Sequence, residues 1–400
     1  MKSYITTLQT HMKTVCEIIG ARPTGSLSNT AAVDYAYETL KNCGFQTYKQ
    51  EFSCIDWKNS GAELIIAGQN TPVASAVPVV PAEYSMPCNA EAQLICLDTM
   101  DKLKESKISD KIAVLHGDLC NEPLMPKNFE FYNPDEHKEI ISLLEEKAPA
   151  AIITISPHKE HIIQDGDFNI PCAAADISVL ERFLQNSNKK AKLTIHTERI
   201  PAKARNVIAA LNPDGASDAS EAGGGKICFS AHIDTKPNTP GALDNASGVA
   251  ALLALAQTLQ GKKYPRQIEI AILNGEDYYS VPGQTAYMAQ LKPEAYSLAV
   301  NVDGIGLKNS ATSVSFYQCP QSVEKQIMEQ AAAIPGIEKI DPWPMGDHMI
   351  FAMSGISAVA VTASGIFDLL ETVTHTPNDD MRNIDFEILD NVVEFLLRCI

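Results

Sequence analysis

The fold turns on residues 232–259, HIDTKPNTPGALDNASGVAALLALAQTL. His232, Asp234 and Asp244 surround a loop rich in proline and glycine, which then runs into a nearly all-apolar helix, Ser247–Leu259. A helix that is apolar all round belongs inside a core, so this charged loop is carried by the most buried part of the protein. Buried charge needs a partner. A bound cation supplies one, and these three side chains are of metal-ligating type.

Neighbouring apolar runs stop at polar clusters in the same way. KICFSA ends at His232 and Asp234, QIEIAILNG at Glu276 and Asp277, and YSLAVNV at Asp303. Unbroken apolar runs of this length suit strands buried on both faces, and open α/β sheets place their sites at the carboxyl ends of such strands. Asp244 and the turn THTPNDD, with His375, can join the same edge. Each piece alone has an ordinary reading: a hydrogen-bonded HxD pair, a polar loop after a strand, an Asx or ST turn. Collected in one crevice, the acids and histidines need a compensating cation. Two imidazoles and three carboxylates form a mixed nitrogen and oxygen set suited to zinc, with manganese or cobalt as alternatives. Two divalent ions about 3.5 to 4 Å apart, sharing one carboxylate, would use the whole set.

The 400-residue length exceeds what one core usually holds. Composition is ordinary globular, with 45% apolar and 20% charged residues. A net charge of −17 argues against a nucleic-acid or anionic-membrane partner. No run is expected to reach the ~18 apolar residues of a membrane span. The first 19 residues place Ile5, Leu8, Met12, Val15 and Ile19 at helical spacing, an amphipathic helix rather than a signal peptide. The ten cysteines form no CxxC pair and suit reduced, buried thiols. The expected location is cytoplasmic, or secreted if a signal has been trimmed.

A second helix is expected over residues 31–42, closed by Gly44, followed by the strand FQTYKQEF. Residues 55–199 then read as a β-rich insert with helices at HKEIISLLEEKA and near residues 179–185. Residues 1–54 and 200–400 make up the discontinuous α/β domain. SDASEAGGGK, residues 217–226, reads as a hairpin between two strands.

These motifs resemble the cocatalytic zinc exopeptidases, the family of bacterial leucyl aminopeptidases, aminopeptidase Y and glutamate carboxypeptidase II. The likeness runs in order through GARPTGS, RNVIAAL, SAHIDT, GALDNASGVA, NGED, NVDGIG, GDHMIFAMSGISAV and HTPNDD. It implies a three-layer α/β/α fold with a mixed central sheet, and His232 and Asp303 on one metal, Asp277 and His375 on the other, with Asp244 bridging. It further implies Glu276 as general base, Asp234 accepting the remaining N–H of His232, and a cis peptide between Asp244 and Asn245. The insert is similar to a protease-associated domain at KIAVLHGD, APAAIITI and NIPCAAADI.

The implied reaction is hydrolysis of a peptide at its free amino terminus, with no organic cofactor and an open oligomeric state. Two positions depart from the family pattern. Asp277 stands where a glutamate is common, and Trp343, four residues before Asp347, stands near where some relatives carry a tyrosine for the oxyanion. Trp343 either offers an indole N–H instead or the helper is absent. Asp347 and His348 are read as supporting residues, and Tyr278 and Tyr279 as either pocket lining or packing. His158 and His161 read as surface residues, and His116 as part of the insert's own structure. The competing functions are a carboxypeptidase or dipeptidase, with Arg22 or Arg205 taking a substrate carboxylate, a one-zinc glutaminyl cyclase, and a non-catalytic receptor-like homologue. The retained ligands and base argue against the last two.

Overall fold

The computed structural model describes residues 3–67, 76–122, 124–125, 127, 129, 132–156, 169–212, 224–369 and 372–400. Contacts divide the chain into two compact units, Met1–Cys54 with Ala202–Ile400, and Ile55–Pro201. The strands Gln46–Ile66 and Lys190–Leu211 carry the chain across both boundaries.

In the first unit the sheet order is Ile337–Lys339, Thr312–Tyr317, Ala358–Ala363, Tyr296–Val302, Lys226–His232, Ile268–Leu273 and the end of Lys190–Leu211. The four strands from Ala358–Ala363 to Ile268–Leu273 are mutually parallel, and antiparallel neighbours flank them. Pairing sets His232 beside Leu273 and Asn301 beside Ser230. The residues that follow therefore leave the sheet along one edge.

Alternation along Lys226–His232 assigns the two faces. Ile227, Phe229 and Ala231 join the core formed with the helices Ile5–Met12, Leu27–Asn42, Ser247–Leu259 and Phe386–Arg398. Cys228 faces the other way and meets Tyr287 of the helix Pro282–Met288 at 3.5 Å. Helices thus cover both faces, a three-layer α/β/α arrangement. In Ser247–Leu259 only Gln257 escapes burial. The longer stretch Ala242–Leu259 does reach the length and hydropathy of a membrane-crossing helix, contrary to the expectation from sequence, but 89% of it is buried inside the unit, as in a core helix.

Two further expectations change. The second helix starts at Leu27, four residues early, because the Ser26 hydroxyl caps it by accepting the N–H of Asn29 at 3.0 Å. The strands on either side of residues 217–226 do not form a hairpin, since Ile268–Leu273 lies between them in the sheet. The connection itself, residues 213–223, lies outside the described residues.

Gly283, at the start of the helix Pro282–Met288, sits so close to the Ile268–Leu273 strand end that an added Cβ would lie 1.8 Å from the Asn274 carbonyl oxygen. Gly283→Ala is therefore expected to destabilise the protein by about 3 kcal/mol, the upper range for overpacking. A denaturant midpoint equal to that of the unsubstituted protein would contradict this packing.

The second unit has a parallel core of Cys88–Leu97, Ile112–Leu115, Ala151–Ser156 and Cys172–Asp176. Short antiparallel pairings edge it at Val80–Pro81 and Lys190–Leu211. Ile112 and Val114 join one apolar cluster and Ala113 and Leu115 another, so this sheet too is covered on both faces. His116 is buried, with its backbone N–H on the Leu97 carbonyl at 2.9 Å. His158 and His161 lie outside the described residues.

Candidate metal centre

Side chains from five segments converge beyond the parallel strands. His232 ends its strand, Asp303 directly follows Tyr296–Val302, and Asp277 stands in the loop after Ile268–Leu273. Asp244 lies in the loop before the core helix, and His375 lies in the turn residues 374–380 at φ 61°. Asp244 stands between the two histidines. Its Oδ1 is 2.9 Å from His232 Nε2 and its Oδ2 is 3.0 Å from His375 Nε2. Asp303 Oδ1 is 3.4 Å from His232 Nε2, and Asp277 Oδ1 is 3.1 Å from His375 Nε2. Two donor sets result, His232–Asp244–Asp303 and Asp244–Asp277–His375, each with its ligand atoms within 4.8 Å of one another.

The set fits cations on its own chemistry. His232 Nε2 is buried and, despite its near carboxylates, makes no hydrogen bond of acceptable geometry among the described residues; nor does Asp277 Oδ2. Donor atoms that crowd together without bonding one another suit an ion placed among them. Burial opposes charge on His232, yet Asp303, Asp234 and Asp244 hold its pKa well above the ordinary histidine range. For Glu276 burial acts first, and its pKa is held well above the usual carboxylate range.

The loop geometry depends on buried carboxylates. Asp234 Oδ1 accepts the N–H of Gly275 at 2.7 Å and of Glu276 at 3.3 Å, and Oδ2 accepts that of Asp277 at 3.0 Å. Its separation from His232 Nδ1 is 3.7 Å, longer than a hydrogen bond. Asp234 therefore holds the Glu276 loop more directly than it holds the histidine. Asp379 does the same for Asp244, accepting the N–H groups of Leu243 at 2.7 Å and Asp244 at 3.0 Å. Its role was not read from the sequence, where it looks like one more acid in a turn; burial pushes its pKa up to about 7. The Asp244–Asn245 peptide is cis. Asn245 ties this loop to the Asp303 strand through Nδ2 and the Val302 carbonyl at 2.9 Å.

The remaining candidates separate by environment. Arg22 is fully buried and donates to the carbonyls of Ile233 at 2.6 Å, Gly20 at 3.2 Å, Pro240 at 2.7 Å and Gly241 at 3.0 Å. Arg205 pairs with Glu51 at 2.9 Å. Asp347 is buried, accepts from Gln284 Nε2 at 3.2 Å, and is pushed up to about 7, chiefly by burial. His348 lies 3.1 Å from the Trp343 carbonyl through Nε2, and burial lowers its pKa to about 4. The Trp343 ring packs edge-on against Tyr317, His348 and Phe367. Tyr278 and Tyr279 pack against each other at 4.5 Å.

Fold and site together define an α/β protein with two adjoining His/Asp clusters, each able to hold a cation, at the carboxyl ends of its parallel strands. Residues 206–400, which include every member of both donor sets, match the profile of peptidase family M28. The chain is 26% identical over 309 residues to a probable lipoprotein aminopeptidase, LpqL, of Mycobacterium tuberculosis, covering 72% of this chain and 56% of that protein. It is 25% identical over 172 residues to aminopeptidase YwaD of Bacillus subtilis, covering 41% and 38%. The chain thus spans about half the length or less of these curated relatives. Among solved structures, the Bacillus subtilis zinc aminopeptidase BSAP superposes with a TM-score of 0.77 at 18% identity, covering 99% of this chain and 94% of that one. An aminopeptidase from Aneurinibacillus sp. strain AM-1 gives 0.75 at 19% identity, covering 99% and 92%.

Proposed function

We propose that this protein is a metal-dependent aminopeptidase that releases amino-terminal residues from peptides. The observation that carries this is the placement of Asp244, whose two carboxylate oxygens each face a different histidine. In this reading His232 and Asp303 hold one divalent cation, Asp277 and His375 the other, and Asp244 both, with zinc preferred and manganese or cobalt also suited to the donors. Such a pair, when bound, supplies Lewis acidity to a water and to the scissile carbonyl.

The chain's own residues supply the proton transfer. Hydrolysis moves one proton from the attacking water to the departing amine. Glu276, outside both donor sets and beside Asp277, is the group for both steps. Asp234 fixes where Glu276 stands through the loop's N–H groups. Arg22 and Arg205, the candidates for a substrate carboxylate, are committed to backbone carbonyls and to Glu51, which favours the amino-end reading over a carboxypeptidase. The insert is read as a protease-associated-type module with no binding role assigned.

Elemental analysis of the purified protein, together with release of free amino acids from matched unblocked and N-acetylated peptides, tests the proposal. About two equivalents of divalent metal, the number a two-ion site holds, with cleavage of unblocked peptides alone, are expected. Equal cleavage of blocked peptides would move the reading to the carboxy end. A metal-loaded protein that cleaves neither would overturn it.

A further inference from the structure

Thr24, in the loop GARPTGS, lies 210 residues before Asp234, yet it is buried against that carboxylate beside the Glu276 loop. Its single O–H proton is shared between two acceptors, Asp234 Oδ2 at 3.1 Å and Asn274 Oδ1 at 3.2 Å. Asp234 is the carboxylate that collects the N–H groups of Gly275, Glu276 and Asp277. Asn274 is the residue from which that loop departs. One hydroxyl therefore joins the group that holds the loop to the residue that begins it.

Neutral amides extend the connection. Asn29 and Asn274 exchange a pair of side-chain hydrogen bonds, at 3.0 Å and 2.9 Å. Asn29 also donates to the Arg22 carbonyl at 3.1 Å, and Asn274 to the Arg205 carbonyl at 3.1 Å. The Asn274 backbone N–H donates to Asn206 Oδ1 at 2.9 Å, and Asn206 Nδ2 donates to Gln50 at 2.9 Å and to the Gly283 carbonyl at 2.8 Å. Thr24, Asn29, Asn206 and Asn274 are each at most 1% exposed. The Ser26 cap places Asn29 in the first helical turn, so the start of that helix and the reactive loop are positioned against each other.

We infer that Thr24 is a positioning residue for Glu276. Its hydroxyl locks Asp234 and Asn274 together, and through them sets the path of residues 275–277. The inference rests on the aminopeptidase reading for its kinetic consequence, but not for its structural one. Buried polar networks are rigid when every member is satisfied. A small displacement of a reacting group lowers rate without lowering ground-state binding to match.

Thr24→Val keeps the shape and removes the hydroxyl, while Thr24→Ser restores it. With an aminoacyl chromogenic amide as substrate, Thr24→Val is expected to lower kcat by about tenfold or more, with KM within about twofold and metal content unchanged. Thr24→Ser is expected to return kcat to within about threefold of the unsubstituted protein. Amide hydrogen exchange on the purified, metal-loaded protein gives a readout that does not depend on turnover. The amides of residues 275–277 should exchange about tenfold faster in Thr24→Val, with the helix Ser247–Leu259 unaffected.

Unchanged kcat or unchanged local exchange in Thr24→Val would overturn the inference. So would a loss of protection across the whole unit, or of bound metal, because Thr24 would then be part of the general framework. Thr24→Ala is read in the same way if the valine variant does not fold, and failure of both to fold likewise overturns it. An unsubstituted protein that binds metal but hydrolyses nothing would count against the aminopeptidase reading, while the exchange data still decide the role of Thr24.

Discussion

Asp244→Ala is expected to release both cations and abolish hydrolysis. Asp244 is the one residue common to the two donor sets, and its oxygens stand 2.9 Å and 3.0 Å from the two histidines. Each set of three falls to two. Loss of an outer-shell partner already weakens metal affinity by about 10- to 100-fold, so removal of a shared direct ligand should exceed about 100-fold at both positions. The backbone around Asp244 is held independently, since Asp379 bonds its N–H and Asn245 bonds the Val302 carbonyl. The variant should therefore fold, which makes its metal content interpretable. Two equivalents retained at the original affinity, measured by titration with a competing chelator, would refute the shared-carboxylate reading.

Glu276→Gln is expected to leave metal content near normal and to lower kcat by about 10² to 10⁴ fold, the usual contribution of a positioned general base. The substitution preserves shape and an acceptor oxygen but removes the group that takes the proton. Glu276 belongs to neither donor set, so the effects on metal and on turnover should separate. The loop should stay in place, because Asp234 holds it through main-chain N–H groups that the side-chain change leaves intact. Turnover within a few-fold of the unsubstituted protein, at full metal occupancy, would remove Glu276 from the proton-transfer role. A parallel loss of metal and activity would place it among the ligands instead. The contrast with Asp244→Ala is the informative feature, since one variant should lose the metal and the other only the chemistry.

Much of the architecture was legible because it follows from local rules. Lys226–His232, Ile268–Leu273 and Tyr296–Val302 are continuous apolar runs, and such runs are buried on both faces of a parallel sheet. The helix Ser247–Leu259 begins and ends where its composition changes. The residues at those strand ends were candidates for the same reason, as chemistry collects where parallel strands stop. The hairpin assigned to residues 217–226 failed because sequence neighbours need not be sheet neighbours; Ile268–Leu273 occupies the intervening place. The early start of the helix Leu27–Asn42 was missed because its cap, Ser26, stands in a loop of several equally plausible capping residues.

The sequence by itself determined the alternation of strand and helix, the buried axis of the large unit, and the residue types at its metal-ligand edge. These depend on side-chain chemistry and short-range periodicity, which the order of residues states directly. Tertiary structure alone decided what the other buried polar groups do. Asp379 caps the Asp244 loop from 135 residues away, Arg22 joins backbone carbonyls from two segments more than 200 residues distant, and Thr24 meets Asn274 across 250 residues. Each bonds partners whose nearness comes from packing rather than from spacing along the chain, and hydrogen bonds form only at contact distance.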